Sequence, residues 1–523
     1  MDVIDNSIKK ERHLTQNEYL NNQTWEQFLT YKPNKKVFLF GLGEGADYFF
    51  NYCYSNIDLS GVVDNDKKKN GMMLSNFFGD FLDEKHKKIK ISDASGLLEY
   101  DKNDIVVLIT SLLHFEQIYE QLNSMGIPHI FSLLTMEANR RENKEAVINL
   151  KKEEIIEKKI SENKVIFYTM GGYSGHGKYI VEKMLKIRRD LDIVWLVDDL
   201  SVCVPDGIRL IYSKDRKKCM HEMYTAKIWA FEWLVPLDIK KQDGQIYIQL
   251  KHWPSITLKK FGFDVIRRTK SSEYVNLWKY NSKLIDYIMV GSKFDENSCR
   301  RGFGFDGKVE YTGSARSDVL FDSLKVKKMV YQKYDISVSC KTVLYAPTYR
   351  SVGKNYSVPS SNNIDLNFEK IKLILEERFG GKWLILLRLH PLVAVDSDNI
   401  DKPQYVIDVS DYSDSQELVA AADIMVTDYS SIMFEPSFVK KPVFLYAQDK
   451  KTYIDAEAEL LIKYDTLPFP IAETNEELVK NIENFDQQIY EENVTEFLEE
   501  YGVHEDGHAS KRAAEFIVNL LKE

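Results

Sequence analysis

Four short stretches hold the residue types that do chemistry. In VTDYSSIMFEPSFVKKPVFLY, residues 426–446, an apolar run stops at Thr427 and Asp428, and two hydroxyls follow at Ser430 and Ser431. The unpaired N–H groups and dipole of a helix N-terminus favour an anion, so hydroxyls there suit a phosphate. The plainer alternative is that Asp428 or Ser430 only caps the helix. LLRLHP places Arg388 and His390 at the end of an apolar run and before Pro391. Open α/β sheets collect ligands at the carboxyl ends of their strands, although a structural histidine beside a proline is the alternative. GGYSGHGKY, residues 171–179, is a glycine-rich loop before a helical pattern, and Gly175, His176 and Lys178 suit a phosphate-binding loop. No Ser or Thr follows Lys178, so it is no true P-loop, and an ordinary turn is the alternative. Finally, Gly41, Gly43 and Gly45 follow a strand-like run, and Asp64 ends the next one. Such glycines allow a tight turn close to a phosphate, and the acid suits a ribose, so this region is a candidate nucleotide site. Ala46 replaces the last glycine of that fingerprint.

The elements that must position these residues alternate. Ile424–Val426 reads as a strand, Ser431–Phe438 as a helix and Pro442–Tyr446 as the next strand. The same strand–helix pattern starts at KVFLF, restarts at KVIFYTM and restarts again at KTVLYAPTY. Alternation of this kind predicts parallel, doubly wound sheets. The expected fold class is α/β, with a pair of facing Rossmann-like domains and an additional Rossmann-like domain at the N-terminus. The expected divisions are a helical lead-in at 1–30, a Rossmann-like domain of unknown role at 31–136 and a charged connecting helix at 137–163. Two further domains follow at 164–325 and 326–523. The cleft between them is the natural ligand site.

Composition narrows the function classes. Of the 523 residues, 44% are hydrophobic and 29% charged, ordinary for a globular protein, and the net charge of −10 opposes a general nucleic-acid role. Five scattered cysteines with no CxxC pair fit reduced thiols and argue against a zinc site. The N-terminus lacks the apolar core of a signal peptide, and no apolar run reaches the ~20 residues needed to span a bilayer. The expected location is cytoplasmic, with peripheral attachment to the inner face of the membrane left open. The basic clusters KDRKK and LKK with RRTK would attract an anionic polymer or an anionic lipid surface, unless they are merely a solvated face.

Eight blocks in order give a specific resemblance. KVIFYTMGGYSGHGKYIVEKML, AKIWAFEWLVP with QIYIQLKHWPSITLKKFGFD, DYIMVGSKFDENSC, YTGSARSDVLF, VLYAPTYR, LLRLHP, VTDYSSIMFEPSFVKKPVFLY and HEDGHASKRAAEFI resemble the CDP-glycerol glycerophosphotransferase family. These are the teichoic-acid primases and polymerases with a two-domain GT-B fold. The resemblance covers the last 360 residues or so. It makes 164–325 the acceptor domain and 326–523 the CDP-donor domain. Residues 36–135 resemble, loosely, Rossmann-like modules attached to bacterial polysaccharide enzymes.

The resemblance implies transfer of glycerol phosphate or ribitol phosphate from a CDP-polyol to an acceptor hydroxyl, with release of CMP. It places the catalytic base at His252 and a donor-phosphate histidine at His390. Arg316, Asp318, Thr348, Arg350, Arg388, Thr427, Ser430, Ser431, Glu435, Ser510 and Arg512 fall at its donor-binding positions. Gly175, His176 and Lys178 fall on the acceptor side. A histidine suits the base because a hydroxyl is a poor nucleophile and imidazole titrates near neutrality. Trp253 and Pro254 follow His252 where the family usually has glycine, and the Lys-Lys pair lies two residues further on. The acceptor would be a glycan, a polyol phosphate or a lipid-linked unit, with no cofactor beyond the substrate and no metal. Two alternatives stay open: a GT-B glycosyltransferase using a sugar nucleotide, and a binding homologue altered at the His252 loop.

Overall fold

The computed structural model describes residues 23–31, 35–52, 57–78, 82–111, 114–142, 159–169, 171–213, 215–235, 239–265, 272–348, 365–389, 402–456 and 460–522. The chain divides into two compact units. One is built on Met1–Lys158, with 214–218 and 271–274 grouped to it, and the other comprises 159–213, 219–270 and 275–523.

The N-terminal unit holds a five-stranded parallel sheet in the order β3-β2-β1-β4-β5. Its strands are β1 (Lys36–Phe40), β2 (Leu59–Val63), β3 (Ile91–Ser92), β4 (Ile105–Ile109) and β5 (Ile130–Ser132). All five residues of β4 are buried, the continuous apolar run expected of a strand covered on both faces. The strand order reverses between β1 and β4. Gly41 lies there with φ +103°, and a side chain on it would come within 3.1 Å of the Ser111 backbone nitrogen. That close approach is what requires glycine.

The second unit contains two parallel sheets. The first runs β12-β11-β10-β9-β6-β7-β8. It comprises β6 (Ser161–Tyr168), β7 (Asp192–Val197), β8 (Ile208–Tyr212), β9 (Ala226–Phe231), β10 (Ile246–Gln249), β11 (Tyr287–Val290) and β12 (Lys308–Tyr311). The second runs β15-β14-β13-β16-β17-β18. It comprises β13 (Cys340–Ala346), β14 (Lys382–Leu387), β15 (Val406–Asp408), β16 (Ile424–Thr427), β17 (Val443–Tyr446) and β18 (Ile471–Ala472). This pair of Rossmann-like halves is the GT-B-like arrangement expected from the alternating pattern.

The chain does not end in the half where its last strand lies. The terminal helix Ala509–Leu520 returns to the β6–β12 half, where Ala513, Ala514, Ile517 and Val518 are buried with Ile180, Val181 and Met184 of the helix Gly175–Ile187. Small alanines on one face let the two helices approach closely, and the aliphatic residues bury apolar area, the dominant favourable term in folding.

One contact couples this scaffold to a loop of chemical interest. Gly291 follows β11, and a Cβ there would lie 1.6 Å from Ser255 Oγ and 2.9 Å from Ser255 Cα, in the loop that follows β10. Gly291→Ala is expected to cost about 1–3 kcal/mol, the range for overpacking a filled interior. Thermal denaturation should show a lowered midpoint. An unchanged midpoint would mean that this loop has room to yield.

Candidate active site

The C-terminal ends of β10, β13 and β16 supply the site. In the β13–β18 sheet the order reverses between β13 and β16, so Thr348 and the 427–431 segment leave the sheet at its switch point, where such folds bind ligands. Asp428 is buried and accepts from Thr348 N at 2.9 Å, from the Thr348 hydroxyl and from Tyr429 N. It therefore ties the two strand exits together. Thr427 is fully buried, and its hydroxyl donates to the Ala346 carbonyl at 2.7 Å. Ser430 caps the turn that follows, accepting from Ile432 N. That turn is a 3-10 helix, Ser431–Met433, running into the short α-helix Phe434–Phe438, so the expected Ser431–Phe438 helix is tighter at its start.

From the other half comes the loop after β10. Its residues Ser255–Leu258 reach across, where Leu258 N donates to Ser431 Oγ and Thr257 Oγ1 meets the same hydroxyl, both at 3.1 Å. Arg316 makes the second crossing. Its Nη1 donates to the His252 carbonyl at 2.6 Å and its Nε to Glu435 Oε1 at 2.8 Å. Glu435 is completely buried and also accepts from Ser317 and Gln416. The structure thus brings His252, Arg316, Ser431 and Glu435 into one connected group.

His252 is exposed to water, with the exposed indole of Trp233 6.5 Å from its ring and the buried Trp253 ring 5.1 Å away. Desolvation by the surrounding protein, then the cations of Arg316 and Lys251, push its imidazole down to about 4. At neutral pH the ring is therefore neutral, the form that accepts a proton. The sequence suggested a value near the ordinary one; Arg316 lies 64 residues away, and the burial of the adjacent Lys251 is a property of the fold.

The glycine-rich loop packs into the interior. Gly175 has φ +65°, and a Cβ on it would lie 2.3 Å from Glu232 Oε1, the atom that accepts from His176 N. His176 is buried, its Nε2 lies 3.0 Å from the Trp253 carbonyl, and burial with the Lys251 and Arg316 charges holds its pKa well below the ordinary value. Lys178 reaches Asp414 and Glu417 at 2.6 Å each, a further link between the two halves. Gly175 and His176 are buried away from open solvent, and Lys178 is half-buried in its ion pairs.

Asp318 and Ser510 meet each other. The Asp318 carboxylate accepts from Ala509 N, Ser510 N and the Ser510 hydroxyl, and so fixes the start of the terminal helix. Arg512 donates to the Thr312 carbonyl at 2.9 Å and to Asp506 at 2.7 Å. Arg388 donates to the Tyr412 carbonyl at 2.7 Å. Arg350 and His390 lie outside the described residues. In the N-terminal unit Gly41 and Gly43 lie on the turn after β1, Gly45 lies in the first turn of the helix Glu44–Tyr52, and Asp64 follows β2. The Asp64 carboxylate accepts from Leu42 N at 2.7 Å, Asp66 N at 2.8 Å and Lys69 Nζ at 3.1 Å, so it ties the glycine turn after β1 to its own loop.

With this geometry in place, comparison with known proteins is decisive. Residues 151–519 match the model of the family described as CDP-Glycerol:Poly(glycerophosphate) glycerophosphotransferase. The chain belongs to this family. The teichoic acid poly(glycerol phosphate) polymerase of Bacillus spizizenii is 25% identical over 68% of this chain and 92% of its own length. The teichoic acid ribitol-phosphate primase of the same organism is 27% identical over 54% of this chain and 72% of its own. Among solved structures, the H548A form of the wall teichoic acid polymerase TagF superposes with a TM-score of 0.61 at 25% identity, covering 79% of this chain and 99% of that one. The family match begins after the N-terminal sheet, which stands outside it.

Glu505 escaped the sequence reading. It accepts from the Ser255 hydroxyl and from Ser314 N at 3.0 Å, joining the His252 loop to the turn that carries Arg316. The only hint was its place in HEDGHASKR, four residues from an expected helix. Burial pushes its carboxyl up to about 7. A raised folded-state value means that this group's contribution to stability is complete below the ordinary value of 4.5 and is lost as pH rises through 7. Glu505→Gln should remove that dependence. The difference in thermal midpoint between variant and wild type should favour the variant more at pH 8 than at pH 5. A pH-independent difference would show that Glu505 does not titrate in this range.

Proposed function

We propose that this chain transfers a polyol phosphate from a CDP-polyol donor to an acceptor hydroxyl, releasing CMP, in assembly of a teichoic-acid or related polymer. The observation that carries the reading is the joining of the His252 loop to the Ser431–Glu435 segment through Arg316 and Ser431, inside a chain of this family. Relatives using glycerol and ribitol phosphate match over similar stretches, so the reading covers both polyols.

In this mechanism the acceptor oxygen attacks the phosphorus of the polyol phosphate while the bond to the CMP oxygen breaks in line. The acceptor proton passes to the neutral ring of His252, and CMP leaves with the bonding pair. Charge develops on the phosphoryl oxygens, and donors fixed in advance stabilise it without reorganising. Arg316 supplies a cation at this junction, and Ser430 and Ser431 supply hydroxyls on the facing segment; His390 and Arg350 join the donor side in this reading. Donor phosphates beside Arg316 add negative charge near His252, which raises its basicity when the substrate is bound. Glu435 would meet the donor ribose by exchanging Gln416 for its hydroxyls while keeping Arg316.

The acceptor would be a glycan, a polyol phosphate or a lipid-linked unit. Among the described residues no helix is long and apolar enough to cross a membrane. The basic LKK segment offers a contact for an anionic lipid face, and RRTK lies outside the described residues.

The test is product mass spectrometry with CDP-glycerol, CDP-ribitol and UDP-glucose against synthetic acceptors. Transfer from either CDP-polyol supports the reading; transfer only from the sugar nucleotide overturns it. His252→Ala should abolish turnover while donor affinity stays within about threefold, since a base acts on the transition state. In wild type, kcat/KM should keep its plateau well below pH 6.5, because the free ring stays neutral down to about 4. An acid limb at 6.5 or above would assign the base to another group.

A further inference from the structure

The peptide that carries His252 is held in a conformation its sequence does not favour. Lys251 has φ +55°, a left-handed backbone that a lysine rarely adopts and that persists only where the surroundings enforce it. What enforces it is a buried polar knot. The Lys251 ammonium donates to the Trp253 carbonyl at 3.0 Å and the Pro254 carbonyl at 3.1 Å, and it pairs with Asp295 Oδ2 at 3.1 Å. Lys251 is 1% exposed and Asp295 not at all. Asp295 in turn accepts from Trp253 Nε1 at 3.0 Å and from Gly291 N at 3.0 Å. The chain therefore folds back around its own lysine over residues 251–254, and His252 is the one residue of that turn left exposed.

We infer that Lys251 and Asp295 are positioning residues for this reaction: the buried pair holds the left-handed turn that presents His252. The inference rests on His252 being the base, and it accounts for the Trp253-Pro254 insertion as part of the knot. Trp253 gives its backbone carbonyl to Lys251 and its indole N–H to Asp295, and glycine would lack the second.

The charged groups around the ring point the same way. Arg316 acts on it from the turn after β12, and Lys251 is its neighbour in the chain. Asp295, on the helix Lys293–Phe303, is spent on Lys251; Glu435 is spent on Arg316. His176, from the helix Gly175–Ile187, is held neutral, and Glu505 faces Lys251 from the segment before the terminal helix. Removing the lysine charge therefore raises the proton affinity of His252. Removing the aspartate charge leaves the lysine unopposed and lowers it.

The experiment follows the His252 ring by NMR in full-length protein labelled at its histidines, assigned with His252→Gln, for Lys251→Met and Asp295→Asn. The expected result is an upward shift of about one pH unit in Lys251→Met, a tenfold change in proton affinity. Asp295→Asn should shift it downward. The acid limb of kcat/KM should move with each, and kcat should fall about tenfold or more in both. If a single variant does not fold, the double variant Lys251→Met/Asp295→Asn removes both charges and should still titrate above wild type. A loss of packing alone would move both single variants upward, toward the ordinary value. Such a result, or unmoved titrations in folded variants, overturns the inference. The titration needs no substrate, so a folded His252→Ala that still turned over would sink the base assignment separately.

Discussion

The guanidinium of Arg316 is the constraint around which the larger unit is arranged. It spans two halves by donating at once to a backbone carbonyl from one and a fully buried carboxylate from the other. A buried carboxylate without a partner is strongly destabilising, so Glu435 demands this cation, and the cation's fork fixes the direction from which it arrives. His252 is consequently delivered beside the Ser431–Glu435 segment. A lysine in place of Arg316 would offer a point charge and could not serve both acceptors in one plane.

Several other links close the same gap. Lys178 joins Asp414 and Glu417, Ser431 accepts from Leu258 N, and Glu505 accepts from Ser255 and Ser314. Each is polar and partly or wholly buried, and beside them Ile256 and Leu258 of the His252 loop are buried in the apolar core of the β13–β18 half. An interface held by directional hydrogen bonds and ion pairs specifies a geometry more than it adds stability, because desolvation offsets much of the Coulombic gain. For phosphoryl transfer, that trade suits function: the reaction is catalysed largely by positioning and by charge compensation. The N-terminal sheet has no share in these links, and its Asp64 is occupied by the turn after β1 and by its own loop.

Much of the fold was legible in the residues alone. Alternating apolar runs and amphipathic stretches announced parallel sheets. Lys36–Phe40, Ile424–Thr427 and Val443–Tyr446 are strands where runs of β-branched and aromatic residues end at turn-forming ones, and ordered motif blocks identified the family. Local physics suffices for these features, since periodicity and turn chemistry act over a few residues. Ser430 as a cap was readable for the same reason.

What only the tertiary structure decided is where each polar group spends its hydrogen bonds. GGYSGHGKY has the composition of a solvent-facing phosphate loop, yet Glu232, Trp253, Asp414 and Glu417, all distant in sequence, draw its polar groups inward. Ser510 and Asp318 each have the type that binds a donor phosphate or its loop, and they bind one another across 192 residues. The left-handed Lys251 could not be read from its neighbours, because its conformation is imposed by Asp295 and by carbonyls that reach it only after the chain has turned. Sequence determined the elements and the chemical vocabulary of this protein; the pairing of buried charges, a property of long-range contacts, decided which of those residues remain free to act.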